Sequence, residues 1–124
     1  MDFQDTRKLG VKRLRQRFLR LEYYVRRITI SRMIKSFRCK DTERLFAGER
    51  PRRFHSIQDA AERKLTLLNA AETLEFLRSP PGNRLEALSG DRAGQYSLRL
   101  NKRWRLCFVW NDGNAHHVEI VDYH

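Results

Sequence analysis

The chain closes on GNAHHVEIVDYH, so its last three side chains, Asp122, Tyr123 and His124, are a carboxylate, a phenol and an imidazole. All three can hold or pass protons, and imidazole does so most readily near neutral pH. Upstream, QYSLRLN and RWRLCFVWN alternate polar and apolar residues, as half-buried strands do. Residues i and i+2 of a strand share a face. Arg99, Arg105 and Tyr123 therefore fall on one outward face, with His124 at its rim. Two guanidiniums can grip a phosphate bidentately, and a phenol can stack on a base. This set suits cleavage of an RNA phosphodiester: a base takes the 2′-hydroxyl proton, cations stabilise the crowded phosphorane, and an acid protonates the leaving 5′-oxygen. Each feature also has a plainer reading. Arginines on an exposed strand are ordinarily solvated or protect an edge, a tyrosine there covers the sheet, and a terminal histidine frays. Alternation alone ranks RNA or protein binding without chemistry ahead of catalysis.

The elements that must position these groups are legible from Met33 onward. MIKSFRC reads as a strand, and KDTERLFAGERP as a short helix with Asp41 as N-cap and Gly48 near its end. SIQDAAERKLTLLNAAETLEFL reads as the main helix. Ser56 and Asp59 approximate a capping box there, and Ile57, Ala61, Leu65 and Leu68 form the buried stripe. SPPGN is a hard break. Three strands follow, GQYSLRLN, RWRLCFVWN and HHVEIVDYH, joined by the short connections NK and NDGN as an antiparallel meander. Tyr96, Leu98 and Leu100, then Trp104, Leu106, Phe108 and Trp110, then Val118 and Ile120 point to the core. Gln95, Ser97 and Arg99, then Arg103, Arg105, Cys107 and Val109, then His117, Glu119, Val121 and Tyr123 point away. The expected architecture is α+β: β-α-α-β-β-β, with an antiparallel sheet packed on two helices.

The chain has 124 residues and a net charge of +11, which suits one domain with an extension and a polyanionic partner. Residues 1–32 hold ten Lys/Arg against three Asp/Glu, and residues 33–124 hold sixteen against twelve. In the extension, Val11, Leu14, Phe18, Leu21, Val25 and Ile28 recur at helical spacing among arginines. A basic amphipathic helix of this kind can lie on RNA, a membrane or a partner. It can equally pack on its own domain or lack stable structure alone. A further reading makes Met33 the true first residue. Domains are accordingly 1–32 and 33–124. No apolar run approaches the ~20 residues of a membrane span, and the start is too charged for a secretory signal, so a cytoplasmic protein with no membrane partner is expected. Cys39 and Cys107, with no C-x-x-C and no zinc-site histidine pair, are expected as apolar fillers rather than a disulfide or metal ligands.

The stretch NRLEALSGDRAGQYSLRLNKRWRLCFVW, followed by VEIVDYH, resembles the HigB-type toxins of the RelE/ParE superfamily, also called plasmid maintenance killer proteins. The likeness covers Met33 to His124 and is carried by L-x-x-L-x-G-D-R-x-G, W-R-L-x-F and the closing D-Y-H. It implies a RelE-like fold and ribosome-dependent cleavage of mRNA, without metal or cofactor. It also implies a HigA-type helix-turn-helix antitoxin, in a complex that represses its own operator DNA. By this resemblance Arg105, the arginine of W-R-L, stabilises the transition state, and Asp122, Tyr123 and His124 complete the site. Some members carry a catalytic His and Lys as H-P-L-K before the strand, where this chain has Glu86, Ala87, Leu88 and Ser89. Relatives of the YoeB kind place a glutamate base first, a part Glu86 could take. The alternative for Glu86 is an ion pair with Arg84. A missing cation at Ser89 costs about two to four kcal/mol of transition-state stabilisation, or ~10²–10³ in rate, unless Arg92 supplies part of the charge. Arg84, Arg92, Arg99, Lys102 and Arg103 are the expected RNA- or ribosome-binding charges. Two other functions fit the same resemblance: a ParE-like gyrase poison without nuclease chemistry, and a degenerate toxin serving only as an antitoxin-binding co-repressor.

Overall fold

The computed structural model describes residues 34–123. The basic stripe of residues 11–28, the residues around the proposed boundary at Met33, and His124 lie outside the described residues. Two α-helices, α1 (Lys40–Phe46) and α2 (Gln58–Ala70), precede the strands β1 (Glu86–Ala87), β2 (Gln95–Arg99), β3 (Trp104–Asn111) and β4 (Asn114–Asp122). The strands form one antiparallel sheet in the order β1-β2-β3-β4. The expected α+β class and the three-stranded meander are present.

The first expected strand takes another form. Residues 34–38 run parallel to β4 through two isolated bridges, Ile34 to Ala115 and Phe37 to Val118. Lys35 N–H donates to Ala115 O (2.8 Å), Val118 N–H to Ser36 O (3.0 Å) and Arg38 N–H to Val118 O (2.9 Å). The ladder is interrupted because His117 sits at φ 52 and its N–H turns to Ser36 Oγ (2.9 Å). The same residue belongs to a bulge in the β3–β4 register between Cys107 and Val109. The bulge puts Ala115 and Val118, three apart, both in the core. The fourth strand of the sheet is instead β1, from the segment expected as the loop before the strands.

α1 begins after Cys39, not at an Asp41 cap, and has no side-chain cap. Asp41 lies in its first turn, where a carboxylate favours the helix dipole, and pairs with Arg44. Gly48, at φ 105, closes it: Glu49 N–H donates to Arg44 O (3.0 Å) and Gly48 N–H to Leu45 O (3.0 Å), the Schellman pattern that favours glycine. α2 also lacks the expected capping box, and it stops at Ala70 rather than running to Leu77. The stripe explains the stop. Ile57, Ala61, Leu65 and Leu68 are all buried, and one more turn would bring Glu72 onto the same line. Breaking at Ala71 lets Ala71 and Leu77 enter the core instead, with a short 3₁₀ turn at Glu75–Arg78. Asn83, buried after the prolines, donates to Leu77 O (3.0 Å) and accepts from Lys64 Nζ.

The helices bury this stripe against Leu98, Leu106, Phe108, Val118 and Ile120 on one sheet face. Phe54 meets Trp104 edge to face at 5.6 Å. Asp112 and Gly113, both at positive φ, make the two-residue turn between β3 and β4 that Asp-Gly favours. The connection from β2 to β3 is Leu100–Arg103, longer than NK. Asn101 Oδ1 organises it by accepting from Arg103 N (2.7 Å) and Trp104 N (2.8 Å).

Candidate active site

Register decides which side chains meet on the face away from the helices. Glu86 pairs with Ser97, Ser97 with Cys107, and Cys107 with Glu119. These four form one row across the sheet. In the next row Arg99 pairs with Arg105, and Arg105 with Val121.

Arg105 joins the rows. Its Nε and Nη2 donate to Ser97 Oγ at 3.0 and 2.7 Å. Nη2 also donates to Arg84 O at 3.1 Å and meets Glu86 Oε1 at 3.4 Å. Its Cζ lies 5.6 Å from the centre of the Tyr123 ring, within cation–π range. The side chain is only 11% exposed, whereas Glu86 is 52% exposed. The guanidinium is thus fixed in orientation by backbone and hydroxyl acceptors, between a solvent-facing carboxylate and a phenol. Nη1 has no partner among the described residues. The local sequence makes this possible. Arg84 turns at φ 45 after the Pro81–Asn83 turn, which aims its carbonyl at β3. Glu86 pairs with Arg105, not with Arg84.

The other expected residues divide. Arg92 leans over the same face from the Gly90–Arg92 turn, donating to Gln95 Oε1 (2.9 Å) and Glu119 Oε2 (3.0 Å). The hydrogen bond to Glu119 raises the Arg92 guanidinium above its ordinary value, against the opposing effect of burial. Glu119, 14% exposed, also has Arg38 at 3.9 Å. Beneath them Cys107 is fully buried. Burial pushes its thiol up to about 11, with Arg92 and Arg105 pulling the other way. Arg99 donates from Nε to Asn101 O (3.2 Å). Lys102 is exposed at the turn beside it. Asp122 accepts from Arg103 Nε and Nη2 at 2.9 and 2.7 Å, and that arginine lies over the Trp104 ring at 5.6 Å. Alternation put Arg103 on the open face, but this pairing turns it to the rim shared with Asp122 and Trp104. Ser97 had no role in the reading of the sequence. Alternation did put it outward beside Arg105, and a buried hydroxyl next to an arginine was the signal. Glu119, the only carboxylate on the outward face of β2–β4, carried a similar signal. Among the described residues no three His, Cys, Asp or Glu side chains come together as metal ligands, and no helix is long and apolar enough to cross a membrane.

The arrangement offers a carboxylate to take a proton, a pre-oriented guanidinium to meet an anionic phosphorus centre, and an exposed phenol for a base. Residues 35–124 match the family model of the RelE-like toxin of type II toxin–antitoxin system HigB. The chain is 42% identical over 85 residues to Toxin HigB-1 of Vibrio cholerae serotype O1, covering 67% of this chain and 90% of that protein. It is 32% identical over 97 residues to Endoribonuclease HigB of Proteus vulgaris, covering 74% of this chain and 100% of that protein.

Proposed function

The chain belongs to the RelE-like toxins of HigB type II toxin–antitoxin systems, and from that membership we propose that it is a ribosome-dependent endoribonuclease that cuts mRNA without a metal. The observation that carries this reading is the Arg105 guanidinium, held between the Glu86 carboxylate and the Tyr123 ring on the sheet face away from the helices. In the proposed reaction Glu86 takes the 2′-hydroxyl proton, and the 2′-oxygen attacks phosphorus. Arg105 stabilises the added charge on the phosphorane oxygens. The bond to the 5′-oxygen breaks as His124 donates a proton to it, leaving a 2′,3′-cyclic phosphate. Tyr123 stacks on a base, and Arg92, Arg99 and Lys102 hold flanking phosphates. Asp122 acts through Arg103, by fixing the end of β4 next to Tyr123. The name of the Proteus vulgaris relative supports the nuclease class.

The family has an antitoxin partner by definition. We propose a HigA-type helix-turn-helix protein, with operator DNA reached through the complex and ribosomes reached in the cytoplasm. Mapping transcript 5′ ends after induction tests the activity. New ends inside coding regions are expected from the native chain. Arg105→Ala and Glu86→Gln should each lower cleavage, Arg105→Ala by about 10²–10³-fold, the effect of removing one oriented transition-state donor. Intact transcripts together with broken DNA would replace the nuclease with a gyrase poison. Undiminished cleavage in Arg105→Ala would remove the proposed site.

A further inference from the structure

Away from the Arg105 face, the described residues hold a cleft of about 350 Å³ between the first turn of α2 and the β2–β3 connection. Arg50, His55 and Arg63 line it, with Asn101 on the opposite wall. None of the three basic side chains has a carboxylate partner among the described residues, unlike Arg38, Arg44, Arg53, Arg78, Arg92, Arg103 and Arg105, which all do. The first turn of α2 borders the cleft, but it continues from the 3₁₀ turn at Arg52–Ile57, and Gln58 N–H already donates to His55 O. The unpaired cations are what attract an anion.

Two acceptors share the cleft with these donors. Asp59 lines it. So does Gln58, 2% exposed, whose Nε2 donates to Glu49 O (3.2 Å) and Glu62 Oε2 (2.8 Å). Those two bonds fix the amide orientation and leave Oε1 buried with no donor among the described residues. Asp59, a cleft-lining acceptor beside phosphate-binding donors, fits a ligand that carries a hydroxyl next to its phosphate, as ribose does through its 2′-OH. Asn101 ties the cleft to the catalytic face. Its carbonyl accepts from Arg99 and its side chain organises Arg103 and Trp104, so one strand rounding this turn passes Arg99 and Lys102 and enters the cleft.

We propose that this cleft is a second phosphate subsite, which holds the sugar–phosphate backbone of RNA rounding the β2–β3 turn from the Arg105 face. The proposal rests on RNA being the substrate class. That backbone can belong to the strand being cut or to ribosomal RNA, and binding measurements separate the two. The full chain carrying Arg105→Ala serves as parent, so that bound RNA stays intact. Into it go Arg50→Ala with Arg63→Ala, and as a control Arg50→Lys with Arg63→Lys. The probes are a single-stranded RNA oligonucleotide, the DNA oligonucleotide of the same sequence, and purified ribosomes, each across a salt series. Loss of two phosphate contacts should weaken RNA binding roughly tenfold and flatten the salt dependence of log K by about 1.4, at about 0.7 per contact on a single strand. The lysine pair should retain most of both, and the parent should prefer RNA to DNA.

Loss on the oligonucleotide and on ribosomes assigns the cleft to the cut strand, and loss on ribosomes alone assigns it to ribosomal RNA. Unchanged affinity and slope on both probes, in variants with the parent's melting temperature, would overturn the subsite. Should the alanine pair unfold, Arg63→Gln alone reads the same slope at half the effect. Transcripts left uncut by the native chain, with the slope still falling in the alanine pair, would end the nuclease reading and leave the subsite standing. Transcripts cut, with no change in slope, would end the subsite alone.

Discussion

At Cys107 the environment and the chemistry pull apart. The residue sits on the sheet face that carries Arg105, yet its thiol is fully buried and raised from 9.0 to about 11, chiefly by desolvation. A raised thiol is inert rather than nucleophilic. The sign of its linkage follows from where the proton goes. Below about 9 the thiol is neutral in both folded and unfolded chains. Between 9 and 11 only the unfolded chain gives up its proton, so folding stability falls across that window. Melting temperatures measured from pH 8 to 11 should drop more steeply for the native chain than for Cys107→Ala, and parallel curves would refute the burial argument. Alternation along β2 and β3 already placed Ser97, Arg105 and Cys107 on one face. It could not tell which carboxylate each arginine would meet, because pairing of Glu86 with Arg105, or Glu119 with Arg92, depends on register across strands far apart in the chain. The same holds for Asp122, whose carboxylate meets Arg103 from 19 positions away in the chain.

Between elements, two features hold β4 in place. Ile120 N–H donates to Thr42 Oγ1 at 3.1 Å, with both residues buried. Thr42→Val keeps the shape and removes the acceptor, and an orphaned buried N–H costs about 1–3 kcal/mol. Denaturant unfolding should report that loss, and Thr42→Ser should recover most of it. The second feature is the bulge at His117. A non-glycine residue at φ 52 carries strain of about 1 kcal/mol or more. His117→Gly should therefore be neutral or stabilising, whereas His117→Val should lower the melting temperature by several degrees, and the reverse order would show that the imidazole stabilises the bulge. Helix positions were readable because the stripe of Ile57, Ala61, Leu65 and Leu68 repeats at helical period. Helix ends were not. Glu72 and Glu75 are good helix formers, yet a continued α2 would turn both onto its buried stripe, and the helix stops at Ala70. β1, two residues long, has no period to read.

Across the whole molecule, charge is concentrated at the amino end: ten Lys/Arg against three Asp/Glu in residues 1–32. We propose that residues 33–124 form the toxin domain, supported by the family match over 35–124. A chain starting at Met33 should melt at the temperature of the full chain and keep its toxicity, while its binding to ribosomes becomes less salt-dependent as those cations are lost. A lower melting temperature would instead make the extension part of the fold. The rims of the sheet carry a last consequence. Outward amides of β4 at Val118 and Ile120 already donate to Ser36 O and Thr42 Oγ1, and β1 offers only two residues. Among the described residues, a protein that binds by lending a strand, or another copy of this chain, finds open backbone only along the short outer edge of β1. A ladder begun at that edge would be two residues long, so side chains and surface contour are left to supply most of the affinity of any partner docking at these rims.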